Sequence, residues 1–145
     1  MMSIRCLKLA GLYLIAGMSM GVYMGATKNF ALAPVHAHVN LLGWLTLAAA
    51  AAVFKLWPQA AQTGLAKTFF WLYNLSLPVT LLALSLLLTG HAGIEPVLAV
   101  TEIGVWLGGV LFVLNLFLAI PGRLEARAMP VGTSTAADGQ LRSAN

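Results

Sequence analysis

Four stretches of the sequence are almost free of charge, and their lengths match the thickness of a lipid bilayer. Between the charged residues that bound them, they hold 19, 26, 27 and 27 residues, and Glu102 in the fourth is the single charge inside any of them. A helix rises about 1.5 Å per residue and crosses about 30 Å of hydrocarbon in about 20 residues. Each stretch is therefore long enough to span, or nearly span, a membrane as a helix.

The composition excludes most classes of soluble protein. Of the 145 residues only 8% are charged and 60% are hydrophobic, whereas ordinary soluble domains have about 25% charged residues. Because too few polar side chains are present to cover a soluble surface, we expect an all-α integral membrane protein built as a four-helix bundle. The predicted parts are a basic leader (1–8), a membrane domain (9–122) with spans at about 9–26, 33–56, 68–89 and 96–120, and a disordered cytoplasmic tail (123–145).

The basic residues predict the orientation of these spans. If the N-terminus is cytoplasmic, seven of the eight basic residues lie in cytoplasmic segments and only Lys28 lies in an outer loop. This asymmetry follows the positive-inside rule and predicts a multi-pass protein of the bacterial inner membrane with both termini in the cytoplasm. It also accounts for the net charge of +4 without a nucleic-acid partner, since the basic residues form no run with interleaved aromatic residues.

Glycines recur every four residues in the first and fourth spans. This spacing lets a neighbouring helix approach closely in a membrane. It predicts self-association into a homo-oligomer through one of two faces, the first formed by Gly17, Gly21 and Gly25 and the second by Gly104 and Gly108.

The ionisable side chains at membrane depth gather near one leaflet. With the predicted orientation, His36, His38, His91 and Glu102 all lie toward the periplasmic side. Such groups are costly in lipid and usually face a bundle interior or a cavity, so a functional site is the default interpretation. Glu102 is a possible polar partner of a histidine, and His91 lies in the outer turn between the third and fourth spans.

His36 and His38 are two positions apart, and on a regular helix this separates their side chains by about 200°. The two imidazoles are therefore expected to point to opposite sides of the second span, where they cannot both bind one metal ion. Each could instead provide an axial ligand to a separate planar macrocycle. Haem iron binds neutral imidazole, and small residues nearby leave room for the ring.

The residues around this pair resemble a known family. The segment from His36 to Trp44 reads His-Ala-His-Val-Asn-Leu-Leu-Gly-Trp and closes at Pro58, and the next span contains Phe69-Phe-Trp-Leu72. This pattern, over roughly residues 33–93, is similar to the His-x-His helix and the following helix of haem-copper oxidase catalytic subunits. It is nearest to the C-family cytochrome c oxidases and nitric oxide reductases, and the whole chain resembles short, stand-alone four-helix bacterial proteins of this type.

By position, the resemblance makes His36 similar to the proximal ligand of the high-spin haem and His38 similar to an axial ligand of the low-spin haem. The copper ligands and the second low-spin ligand of the family come from helices that have no counterpart here. Phe69 stands where those oxidases often have histidine. We therefore do not expect this chain to reduce oxygen by itself, and the resemblance leaves open whether it is an enzyme.

Three hypotheses follow from the sequence. The first is a membrane protein that binds haem b through His36 and His38, with His91 or a second copy completing the ligand sets, and that transfers electrons or binds oxygen or nitric oxide. The second is a non-catalytic accessory protein of respiratory complexes, for assembly or for copper. Its soft thioether ligands would be Met18, Met20 and Met24. The third is a bundle that has kept these helices without a cofactor.

Overall fold

Long helices form most of residues 1–120, the part of the chain that the computed structural model describes. Four of these segments are long and apolar enough to cross a membrane, which confirms the predicted all-α class and the predicted number of long apolar helices. They are α1 (Met2–Thr27), α2 (Ala33–Leu56), α3 (Gly64–Leu88) and α4 (Glu95–Ala119). The predicted tail at 123–145 lies outside the described residues.

The helix ends follow from local backbone chemistry. α1 ends at Lys28, which has a φ of 55°, a left-handed conformation that stops a helix. Pro34 lies in the first turn of α2, where its missing N–H costs nothing. The Thr63 hydroxyl caps α3 by accepting a hydrogen bond from the Ala66 N–H at 3.0 Å. Pro78 lies inside α3, which nevertheless continues unbroken to Leu88.

Each helix runs antiparallel to the helix before it along the chain. The Ser3 hydroxyl, at the start of α1, donates to the Ala51 carbonyl near the end of α2 at 2.8 Å. The Tyr73 hydroxyl of α3 donates to the Leu42 carbonyl of α2 at 3.0 Å. The bundle therefore has two ends. We call the end where α1 and α3 begin the basic end, because the charged residues of 1–120 that lie there are Arg5, Lys8, Lys55 and Lys67. The end where α2 and α4 begin is the histidine end.

Aromatic side chains fill the core near the basic end. Phe69 is fully buried, and its ring centroid lies 4.9 Å from that of Phe112. Phe54 contacts both, at centroid distances of 6.4 Å from Phe69 and 5.9 Å from Phe112. Phe69 is thus a packing residue that joins α2, α3 and α4.

A buried asparagine ties the loop between α2 and α3 to the end of α4. Asn115 is 0% exposed, and its amide nitrogen donates to the Ala60 carbonyl at 2.9 Å. Its amide oxygen accepts from the Thr63 hydroxyl at 2.6 Å. Both polar atoms of the side chain are therefore satisfied, which a buried amide needs in order not to destabilise the fold.

Candidate functional site at the histidine end

His36 lies between α1 and α2. Its ring is partly buried, and Nδ1 lies 2.9 Å from the Gly17 carbonyl oxygen. A carbonyl only accepts hydrogen bonds, so Nδ1 carries a proton and donates it. The Asn40 amide nitrogen approaches Nε2 at 3.5 Å and donates to the His36 carbonyl at 2.8 Å. His36 and Asn40 thus form a small polar cluster against the backbone of α1.

This cluster needs the glycines of α1. A Cβ atom added at Gly17 would lie 2.6 Å from the Asn40 amide, and one at Gly21 would lie 3.2 Å from the His36 ring. The close approach predicted for these glycines therefore takes place inside one chain, against α2. Gly104 and Gly108 likewise face side chains of α3, namely Ser76 and Tyr73, whereas a Cβ at Gly25 would meet nothing. Self-association through these faces stays a prediction.

The backbone changes its winding immediately after His38. Residues Val39–Leu45 form a π-helix between the α-helical segments Ala33–His38 and Thr46–Leu56. The Thr46 hydroxyl supports the wider turn by donating to the Leu41 carbonyl, five residues earlier, at 2.9 Å. π-Helices are rare and often occur at functional sites. The hydrophobic pattern of the sequence gave no signal for this feature.

His38 has a different environment from His36. It is exposed, and its Nδ1 donates to the Pro34 carbonyl of its own helix at 2.7 Å. This bond holds the ring and leaves Nε2 accessible. Histidines that bind metals usually have their other nitrogen fixed in this way by a carbonyl or a carboxylate.

A long apolar groove begins about one turn below His38. It has a volume of about 520 Å³ and lies between α2 and α4, with Tyr73 of α3 also lining it. Leu42 lines the groove four residues after His38, and Trp106 lines it four residues after Glu102. Since side chains four apart lie on about the same face of a helix, His38 lies on the face of α2 that carries Leu42, one turn nearer the histidine end, although it does not line the groove itself. The volume is within the range of about 300–1,000 Å³ that is typical of small-molecule sites.

The other predicted site residues lie apart from this groove wall. His91 is exposed in the turn after α3, where its Nδ1 lies 3.3 Å from the Leu86 carbonyl oxygen. Glu102 is exposed on α4 and lines a separate shallow depression of about 350 Å³ with Ala99, Ile103 and Trp106. Within one chain, neither residue hydrogen-bonds to His36 or His38.

Residues 1–120 contain no group of three or more histidine, cysteine or acidic side chains that could hold a metal ion. The three methionines considered for copper also differ in exposure. Met18 is 61% exposed, whereas Met24 is 5% exposed and Met20 is intermediate. A copper site therefore gains no support from these thioethers.

No family model, curated protein or solved structure matches the chain. The class that the described residues define is that of an all-α chain with four helices long and apolar enough to span a membrane. The resemblance to the haem-copper oxidases stays a prediction from the sequence.

Proposed function

We propose that this chain is a multi-pass protein of the bacterial inner membrane that binds haem b at the histidine end of its bundle. Four apolar helices support membrane insertion. The seven basic residues assigned to the cytoplasmic side support an orientation with both termini in the cytoplasm and the histidines toward the periplasm.

The observation that carries the haem assignment is the state of the His38 ring. Its Nδ1 donates to the Pro34 carbonyl at 2.7 Å, which leaves Nε2 accessible about one turn from Leu42, the first residue of α2 that lines the apolar groove. An oriented imidazole near apolar walls suits a haem iron. When bound, haem supplies one-electron transfer or a coordination position for a diatomic gas.

His36 has a second role in this proposal. Its ring is packed on Gly21 and hydrogen-bonded to the backbone of Gly17, so it would have to leave the interface of α1 and α2 to bind iron. We therefore assign the ligand role first to His38, and we infer that His36 and Asn40 hold α2 against α1.

One chain offers a single well-placed nitrogen, and His38 is exposed on the bundle surface. The His38 side chains of two copies would therefore hold one haem between them. The haem would then supply electron transfer to and from other components of a respiratory chain. If the His38 of one chain held the haem alone, the haem would supply a binding position for oxygen or nitric oxide.

The test is an absorption spectrum of the protein purified from haem-replete cells, recorded oxidised and reduced. We expect a Soret band that is lost in His38→Ala and kept in His91→Ala, which removes another exposed histidine at the same end. If two copies share one haem, His38→Ala should also convert the dimer to a monomer, which light scattering measures.

A wild-type protein that is folded and free of haem would overturn this proposal. If the same preparation bound copper(I), and if Met20→Ala and Met24→Ala abolished that binding, the accessory role in copper handling would replace it.

A further inference from the structure

A second groove lies at the opposite end of the molecule, between α1 and α3. It has a volume of about 440 Å³ and is lined by Arg5, Leu9, Phe70, Trp71, Asn74 and Leu75. Arg5 and Leu9 are one turn apart on α1, and Trp71 and Leu75 are one turn apart on α3. The groove therefore combines apolar walls with one cationic side chain.

The charges around this groove are all of one sign. Arg5, Lys8 and Lys67 lie within the first two turns of the helices that form it, and all three are exposed. Lys67 comes one turn before Trp71 on α3. The acidic residues among residues 1–120 are Glu95 and Glu102, and both lie toward the histidine end. The surface beside the groove is thus positive, with no acidic side chain of the described part of the chain to neutralise it.

The aromatic lining fits a membrane interface. Trp71 is 59% exposed, although it is a large apolar side chain, while the adjacent Phe70 is 7% exposed. Tryptophan is enriched at the headgroup level of membranes, and arginine extends its charge toward that level while its alkyl part contacts hydrocarbon. An occupant of the groove would therefore meet a cation near the headgroups and apolar walls beyond it.

We propose that this groove binds one anionic phospholipid, with its phosphate group on Arg5 and an acyl chain along Leu9, Trp71 and Leu75. Arginine donates two parallel hydrogen bonds to phosphate oxygens, and basic pockets between helices on the cytoplasmic side are suited to anionic headgroups. The proposal rests on the membrane insertion proposed above and does not depend on haem.

The experiment compares phosphatidylglycerol with phosphatidylcholine of the same acyl chains. Each lipid is titrated into the full-length protein in detergent, and native mass spectrometry counts the bound lipid. We expect one phosphatidylglycerol per chain, bound about fivefold more tightly than phosphatidylcholine, as one basic residue near an anionic headgroup would give. Arg5→Gln should abolish the preference, and Arg5→Lys should keep part of it.

Lys8→Gln is the matched control, because it removes the same charge from the same end of α1 but does not line the groove. Trp71→Ala should weaken both lipids. An undiminished preference in Arg5→Gln would overturn the proposal, and so would an equal loss in Lys8→Gln, which would indicate attraction to the whole basic surface.

Occupation of the groove by a second copy would also overturn it. In that case Arg5→Gln would change the oligomeric state and leave the lipid count unchanged. Circular dichroism shows whether each variant is helical. Retention of the protein in carbonate-washed membranes tests insertion separately, so a failure of insertion and a failure of lipid binding give different results.

Discussion

The two ends of the bundle use their polar side chains differently. At the basic end, both polar atoms of the buried Asn115 amide form hydrogen bonds inside the chain, with Ala60 and Thr63. At the histidine end, His38 and Glu102 are exposed, and His38 has a ring nitrogen free. Polar groups that are satisfied inside the chain hold the fold together, whereas polar groups left accessible at membrane depth are available to a ligand or a partner. The contrast supports the proposal of a ligand at the histidine end.

The largest expected loss of stability is that of Asn115→Leu, which removes the contact between α4 and the loop that joins α2 to α3. The substitution removes both hydrogen bonds of the Asn115 amide, while the Thr63 hydroxyl keeps its contacts with the Ala60 carbonyl and the Ala66 N–H. We expect the free energy of unfolding to fall by about 2–3 kcal/mol, since each lost hydrogen bond contributes about 1 kcal/mol and the fully buried side chain must also be repacked. Unfolding in a denaturing detergent titration measures this loss.

Asn74→Leu is the control for that prediction. The Asn74 amide oxygen is buried with no hydrogen-bond partner among the described residues, and its nitrogen donates to Phe70 within the same helix at 2.7 Å. Replacing it by an apolar side chain of similar size should not lower the free energy of unfolding, because removal of the unpartnered oxygen offsets the loss of this one local hydrogen bond. Equal losses of unfolding free energy in the two variants would show that the hydrogen bonds of Asn115 do not stabilise the basic end.

Gly17→Ala tests the interface that positions the histidine end. The added methyl group would push the Asn40 amide away, and the hydrogen bond of that amide to the His36 carbonyl would be lost. We expect a loss of about 2 kcal/mol, as for other overpacked positions. Gly25→Ala, on the same helix but facing open space, should stabilise α1 by about 0.5–1 kcal/mol. If both variants behaved alike in thermal unfolding, the contact of α1 with His36 and Asn40 would not contribute to stability.

The sequence predicted the fold class well because charge-free stretches and helix-ending residues are local signals. The four stretches became four long helices, and Pro34 and Pro58 lie where helical segments begin. The contacts of the site were harder to predict, because they depend on which helix faces which. That Gly17 and Gly21 meet α2 inside one chain, and that His36 is bound by a carbonyl of α1, required the packed bundle.

Two further features had weak signals or none. Asn40 could have been found from its spacing of four residues after His36, which places the two on one face of a helix. The π-helix at Val39–Leu45 has no composition or period that distinguishes it from an α-helix in the sequence. The functions of Asn115 and Thr63 depend on a contact across 52 residues of chain, so no local pattern could predict them.

The smallest expected losses of stability are those of His36→Ala and His38→Ala. Comparing these two variants separates the roles of the two histidines. His36 loses its hydrogen bond to Gly17 and its packing on Gly21, so we expect a fall of about 1 kcal/mol, near the value of an interhelical hydrogen bond in a membrane. His38 is exposed and bonds only within its own helix, so its loss should cost less than about 0.5 kcal/mol.

Haem absorbance should rank the two variants in the opposite order, with His38→Ala losing the Soret band and His36→Ala keeping most of it. Thermal unfolding and the reduced spectrum are measured on the same preparations. A variant pair in which stability and haem content fell together would mean that both histidines act through the fold. The separation of a structural from a ligand-binding histidine, two residues apart on one helix, would then be wrong.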